Sequence, residues 1–106
     1  MLRSVYKYSF SKLIPMNDVE DSLMLAALAA ESLHGRSEMK MEAAFCLNTR
    51  TRTCVIDAET QVGCDIARMF TGFITKGYGE QSFSVEKTED RIRCNAIGLN
   101  AVGVTA

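Results

Sequence analysis

Apolar positions along this chain follow two rhythms, and the alternation between them predicts the elements. Between residues 3 and 11, Tyr6, Tyr8 and Phe10 alternate with Lys7, Ser9 and Ser11, a period of two rich in aromatics that predicts a strand. Pro15 closes it. Asn17 followed by Glu20 resembles a capping box set before an apolar run, and Gly35 is a stop signal, so a first helix is expected over about 17–33. Residues 38–47 alternate again: Met39, Met41, Ala43, Phe45 and Leu47 stand against Lys40, Glu42, Ala44 and Cys46, which predicts a second strand. Residues 48–51 suit a hairpin loop and 52–56 a short third strand. Thr60 can cap a second helix over about 60–76, where Val62, Ile66, Met69, Phe70, Phe73 and Ile74 keep the helical period before Gly77 and Gly79. Phe70 and Phe73 are expected against the sheet, near Tyr8, Phe10 and Phe45. Gly63 and Gly72 inside that helix hint at close packing on another backbone. In residues 82–87, Phe83 and Val85 alternate with Ser84 and Glu86 to give a fourth strand. Residues 90–94 could extend it, and residues 96–106 have no clear period.

The order β-α-β-β-α-β resembles the split βαβ, or ferredoxin-like, sandwich. That resemblance implies an α+β domain with an antiparallel four-stranded sheet in order 4-1-3-2 and both helices on one face. We expect one domain over residues 1–88, with residues 89–106 as a tail, an extra strand or a disordered segment. The architecture hosts enzymes, metal carriers, RNA readers and sensing modules, so it says little about function by itself.

The first helix departs from the simplest version of this picture. A helix lying on one sheet needs a single apolar stripe. Leu23, Ala26, Ala27, Ala30 and Leu33 form such a stripe, whereas Met24, Leu25 and Leu28 fall largely outside it. A second subunit, a partner protein or the chain's own tail, through Ile97, Leu99, Val102 and Val104, would cover those three.

Composition narrows the function classes. The 106 residues are 47% hydrophobic and 24% charged, as expected of a globular domain, and 12 basic against 13 acidic side chains leave a net charge of −1. That balance argues against nucleic-acid binding as the main role. The apolar run from Leu23 to Ala30 is too short to span a bilayer, and residues 1–7 lack a secretory apolar segment, so a cytoplasmic protein is expected. Cys46, Cys54, Cys64 and Cys94 contain no C-x-x-C pair, and His34 is the single histidine. No metal site or cofactor is expected from them, and the four cysteines read as reduced thiols acting as small hydrophobes.

The favoured expectation is a small non-enzymatic interaction or ligand-binding module, self-associating as a homodimer through Met24, Leu25 and Leu28. An alternative is a thiol-dependent enzyme or redox sensor. The fold would gather His34, Arg36, Asp57, Cys64 and Asp65 at one edge, with Cys64 near a helix N-terminus as nucleophile, His34 as its base and Arg68 holding an anionic substrate. Against it, Asp65 disfavours a thiolate, and His34 and Asp57 also suit the ends of helices electrostatically. A second alternative is weak nucleic-acid binding through Arg50 and Arg52, though basic residues at a loop tip also serve simply to keep a sheet edge soluble.

Overall fold

The computed structural model describes residues 2–90 and residue 92. Its elements are β1 (Arg3–Phe10), α1 (Met16–His34), α2 (Arg36–Glu42), β2 (Phe45–Asn48), β3 (Thr53–Asp57), α3 (Gln61–Tyr78), a 3-10 turn (Glu80–Ser82) and β4 (Phe83–Asp90). They form an α+β domain in which a four-stranded antiparallel sheet carries three helices. The sheet order is β2-β3-β1-β4, or β4-β1-β3-β2 from the other edge. Residues 93–106, including the apolar tail positions, lie outside the described residues.

Register places one face of the sheet against the helices. Tyr8 lies opposite Cys54 on one side and Val85 on the other, Phe10 opposite Phe83, and Ile56 between Tyr6 and Phe45. Side chains alternate across a strand, so these residues share a face. From the helices, Val19, Leu23, Ala26 and Ala30 of α1 and Val62, Ile66, Phe70 and Ile74 of α3 close over them. Phe70 is the centre of an aromatic group, edge-on to Tyr8 at 5.0 Å and to Phe10 at 6.0 Å between ring centroids. The Tyr8 hydroxyl donates to the Ala67 carbonyl at 3.2 Å and shares a 2.7 Å hydrogen bond with the Thr71 hydroxyl. Burial raises its pKa to about 12, so it stays a neutral donor.

Several expectations need correction. Residues 36–42 are helical, so the second strand is confined to 45–48 and there are three helices instead of two. The apolar spacing misled because Met39 and Ala43 are also four apart and share a helix face. Arg, Glu, Met and Lys are all good helix formers, and Gly35, at φ +87°, lets a new helix start at once. Met39 packs on the core, whereas Met41 is exposed. α1 is not capped by Asn17: Pro15 occupies the N-cap position, with no side-chain hydrogen bond there. Leu33 is exposed, and Phe73 is 39% exposed while Phe70 is fully buried. Gly72 has open space around it. Gly63 behaves as expected, since a Cβ there would lie 2.0 Å from the carbonyl oxygen of Asp57.

Candidate functional site

Two of the residues singled out in the sequence, His34 and Asp65, meet where the end of α1 faces the start of α3. Thr60 sets this corner. Its hydroxyl accepts from the Gly63 amide at 3.0 Å, capping α3, and donates to the Glu42 carbonyl at 3.2 Å at the end of α2. Gly63 lets the first turn of α3 press against the last carbonyl of β3. The next two residues, Cys64 and Asp65, are thereby held near the chain reversal at Ala58.

His34 is clasped between two carboxylates. Its Nε2 lies 2.7 Å from Oδ2 of Asp65 on α3, and its Nδ1 lies 3.1 Å from Oε1 of Glu38 on α2. The hydrogen bond to Asp65 raises the His34 pKa, with a further contribution from Glu38, and partial desolvation opposes both. In return, the His34 hydrogen bond is the main cause holding Asp65 below its ordinary value, with help from Gln61 and the charge of Arg68. Both ring nitrogens therefore act as donors when the imidazole is charged. A period-two reading of residues 38–47 hides Glu38 as a partner; its spacing of four from His34 is the signal that points to it.

The other members of the expected constellation are engaged separately. Asp57, 2% exposed, accepts from Arg3 Nη2 at 2.8 Å and Nε at 3.3 Å, and from the Glu59 amide at 2.9 Å. Arg3 ties the first residue of β1 to the last of β3, and a buried carboxylate needs such a partner. The Cys64 thiol is free and partly buried, and it donates weakly to the Ala58 carbonyl at 3.5 Å. Arg36 lies 3.5 Å from Glu31, and Arg68 is exposed. The fold thus brings His34 and Asp65 together, while Asp57 and Cys64 each have other contacts. Among the described residues no group of three His, Cys, Asp or Glu side chains is placed to hold a metal ion.

The cysteines are not all reduced thiols. Cys54 and Cys64 are free, and burial pushes the Cys54 thiol far above its ordinary pKa. Cys46 is disulfide-bonded. In the β2–β3 loop, Asn48 Oδ1 accepts from the amides of Arg50 and Thr51 at 3.0 and 3.2 Å. Arg52, at φ +57°, turns its guanidinium inward onto the carbonyls of Ser11 and Ile14. Arg50 remains exposed, so the two arginines do not form a joint basic surface.

The outer face of α1 carries the remaining candidate. Leu25 and Leu28 are 55% and 52% exposed and lie one turn apart, and Met24, four residues before Leu28, is half-buried beside them. Acidic residues Asp18, Glu20, Asp21 and Glu31 surround this apolar patch, and α1 contains no lysine or arginine. No helix among the described residues is long and apolar enough to cross a membrane.

Compared with protein-family models, with curated proteins and with solved structures, the chain gives no match.

Proposed function

We propose that this protein is a non-enzymatic interaction module that self-associates through α1. The observation that carries the reading is the exposure of Leu25 and Leu28 on a helix whose core-facing side is already supplied by Val19, Leu23, Ala26 and Ala30. Burying a leucine side chain fully is worth roughly 1.5–3 kcal/mol, so partial cover on both copies is favourable. An antiparallel pairing of two α1 helices about a point between Ala26 and Ala27 sets Leu25 of one copy against Leu28 of the other. It also brings the acidic first turns toward the other copy's Arg36, an opposite charge. We further infer a split βαβ topology: the strand order from the β4 edge and the helical connections β1–β2 and β3–β4 support it, with α2 as an addition to the first connection.

Sedimentation equilibrium tests the association. The wild type is expected to form assemblies larger than the monomer, and Leu25→Lys/Leu28→Lys should weaken them while the circular dichroism spectrum shows the fold retained. An assembly indifferent to this double substitution would overturn the role of α1. A monomeric wild type destabilised by the substitution would mean instead that the chain's own segment covers the face.

The thiol reading has less support. A catalytic base for Cys64 needs a free imidazole nitrogen within reach of the sulfur. Both nitrogens of His34 face carboxylates that favour its charged form.

A further inference from the structure

Among the described residues β4 is an edge strand of the sheet, eight residues long and without proline. Its hydrogen-bonding direction follows from the ladder it makes with β1. The Ser11 amide donates to the Ser82 carbonyl at 2.8 Å, continuing the β1–β4 register one step beyond Phe10 and Phe83. In an antiparallel ladder the bonded pairs recur every second residue, so Ser84, Glu86 and Thr88 turn their backbone groups toward β1. The Phe10 amide donating to Arg52, on the β3 side, agrees with this phase. The backbone groups of Phe83, Val85 and Lys87 therefore point away from the sheet. The side chains of these three lie on the helix-bearing face, where Val85 is 44% exposed and Phe83 only partly covered.

We infer that this edge pairs with the β4 edge of a second copy, in the register centred on Val85. Two copies related by an axis perpendicular to the sheet keep their helix-bearing faces on the same side. A residue on that face must then meet a residue of the same face, which leaves few registers. Centring the pair on Glu86 or on Lys87 sets like charges directly opposite, which is destabilising. Centring it on Val85 joins two exposed apolar side chains through outward-pointing backbone groups. It also places Ser84 opposite Glu86 and Phe83 opposite Lys87. Lys87 already lies over the Tyr6 ring at 5.9 Å, so its methylene stem faces the aromatic layer that Phe83 would extend. The charges of β4 thus oppose the registers centred on Glu86 and Lys87 and permit this one. The inference does not rest on the α1 contact. With both surfaces engaged, association continues past the dimer, because each interface uses a different symmetry axis.

The full chain carrying Leu25→Lys/Leu28→Lys isolates the edge contact. Sedimentation equilibrium of this variant should give a dimer. Adding Ser84→Lys, which creates two Lys–Glu pairs across the axis, should tighten that dimer about two- to thirty-fold. Adding Ser84→Glu should weaken it by a similar factor. Ser84 lies on the opposite face, beside Ser9, so neither change disturbs the core. A Leu25→Lys/Leu28→Lys variant that stays monomeric at the highest attainable concentration would overturn the edge pairing and leave the α1 reading standing. A dimer whose dissociation constant ignores both Ser84 substitutions would overturn it as well, because another surface or segment would then be responsible. A wild-type dimer unaffected by the leucine substitutions but sensitive to Ser84 would remove the α1 reading and keep this one.

Discussion

α1 and α3 pack side by side in one layer, yet they are built differently. α3 has one apolar side, a threonine cap at its start and Gly79 at its end, and it buries the ring of Phe70 completely. α1 begins without a side-chain cap, buries two alanines, a valine and a leucine, and shows leucines to the outside. The two are braced at both ends, by His34 to Asp65 at one and by Tyr78 donating to Asp18 at the other. The apolar surface of α1 beyond what the sheet covers is what the proposed self-association would use. α3 leaves only Phe73 and Tyr78 exposed among its large apolar side chains, whereas α1 shows Leu25, Leu28 and Leu33.

The comparison breaks most directly at its two extremes. Phe70→Ala should remove the ring that joins Tyr8 and Phe10 to α3 and lower stability by about 3–5 kcal/mol. Leu28→Ala, on the exposed face of α1, should change the stability of the monomer by no more than about 0.5 kcal/mol. Urea denaturation at low protein concentration measures both. Equal effects would show that Leu28 is part of the core and that the two helices are alike.

The glycines of α3 give a second contrast within one helix. Gly63→Ala would drive a methyl group into the Asp57 carbonyl, separating α3 from β3 at an estimated cost of about 1–3 kcal/mol. Gly72→Ala meets nothing and should stabilise by up to about 1 kcal/mol through helix propensity. A Gly63→Ala protein with a wild-type thermal midpoint would mean that the first turn of α3 does not press on β3.

Most of this fold is legible in the sequence where one signal dominates. Tyr6, Tyr8 and Phe10 alternate over a strand with polar neighbours, and Thr60 precedes a clean helical period, so β1 and α3 were recognisable. The segment 36–42 was not, because Met39 and Ala43 satisfy both periods and seven residues are too few to decide between them. Phe73 was misplaced for a related reason. Periodicity gives the direction of an apolar side but not its width, and the sheet covers Phe70 more fully than Phe73. At the candidate site, topology correctly placed His34 near Asp65. Its contact with Glu38 depended on a helix that had been read as a strand. The exposure of Leu25 and Leu28 was predicted because it needed only the angle around a helix, which residue spacing fixes.

The helix starts differ by a smaller amount. Thr60→Ala removes the acceptor for the Gly63 amide and the donor to Glu42, and should cost about 1 kcal/mol. Asn17→Ala should cost almost nothing, since Asn17 lies inside α1 and its N-cap has no side-chain hydrogen bond. Thermal melts of the two variants decide the matter: a larger loss for Asn17 would restore the capping box expected from the sequence.

The smallest effect is the pH dependence of the brace between α1 and α3. The folded protein raises the His34 pKa above its ordinary value of 6.5, so the charged imidazole stabilises the fold. That contribution is fully present below 6.5 and is lost as pH rises through the higher folded value. Asp65 is held below its ordinary 3.8, so its contribution is present above 3.8 and disappears as pH falls through the lower folded value. The brace is therefore complete between these two ordinary values and weakens on either side. A proton NMR titration of the single histidine should give a midpoint above 6.5. Asp65→Asn should lower it more than Glu38→Gln, because the Asp65 hydrogen bond is the larger cause. Added salt should reduce the charge contribution, since the cluster is partly open to solvent. The same substitutions should flatten the decline of the thermal midpoint between neutral and mildly alkaline pH, whereas Asp18→Asn, at the far end of the two helices, should leave the His34 titration unchanged. A midpoint at or below 6.5 in the wild type would mean that the carboxylates do not hold the imidazole, and that Tyr78–Asp18 and the apolar sides alone brace the two helices.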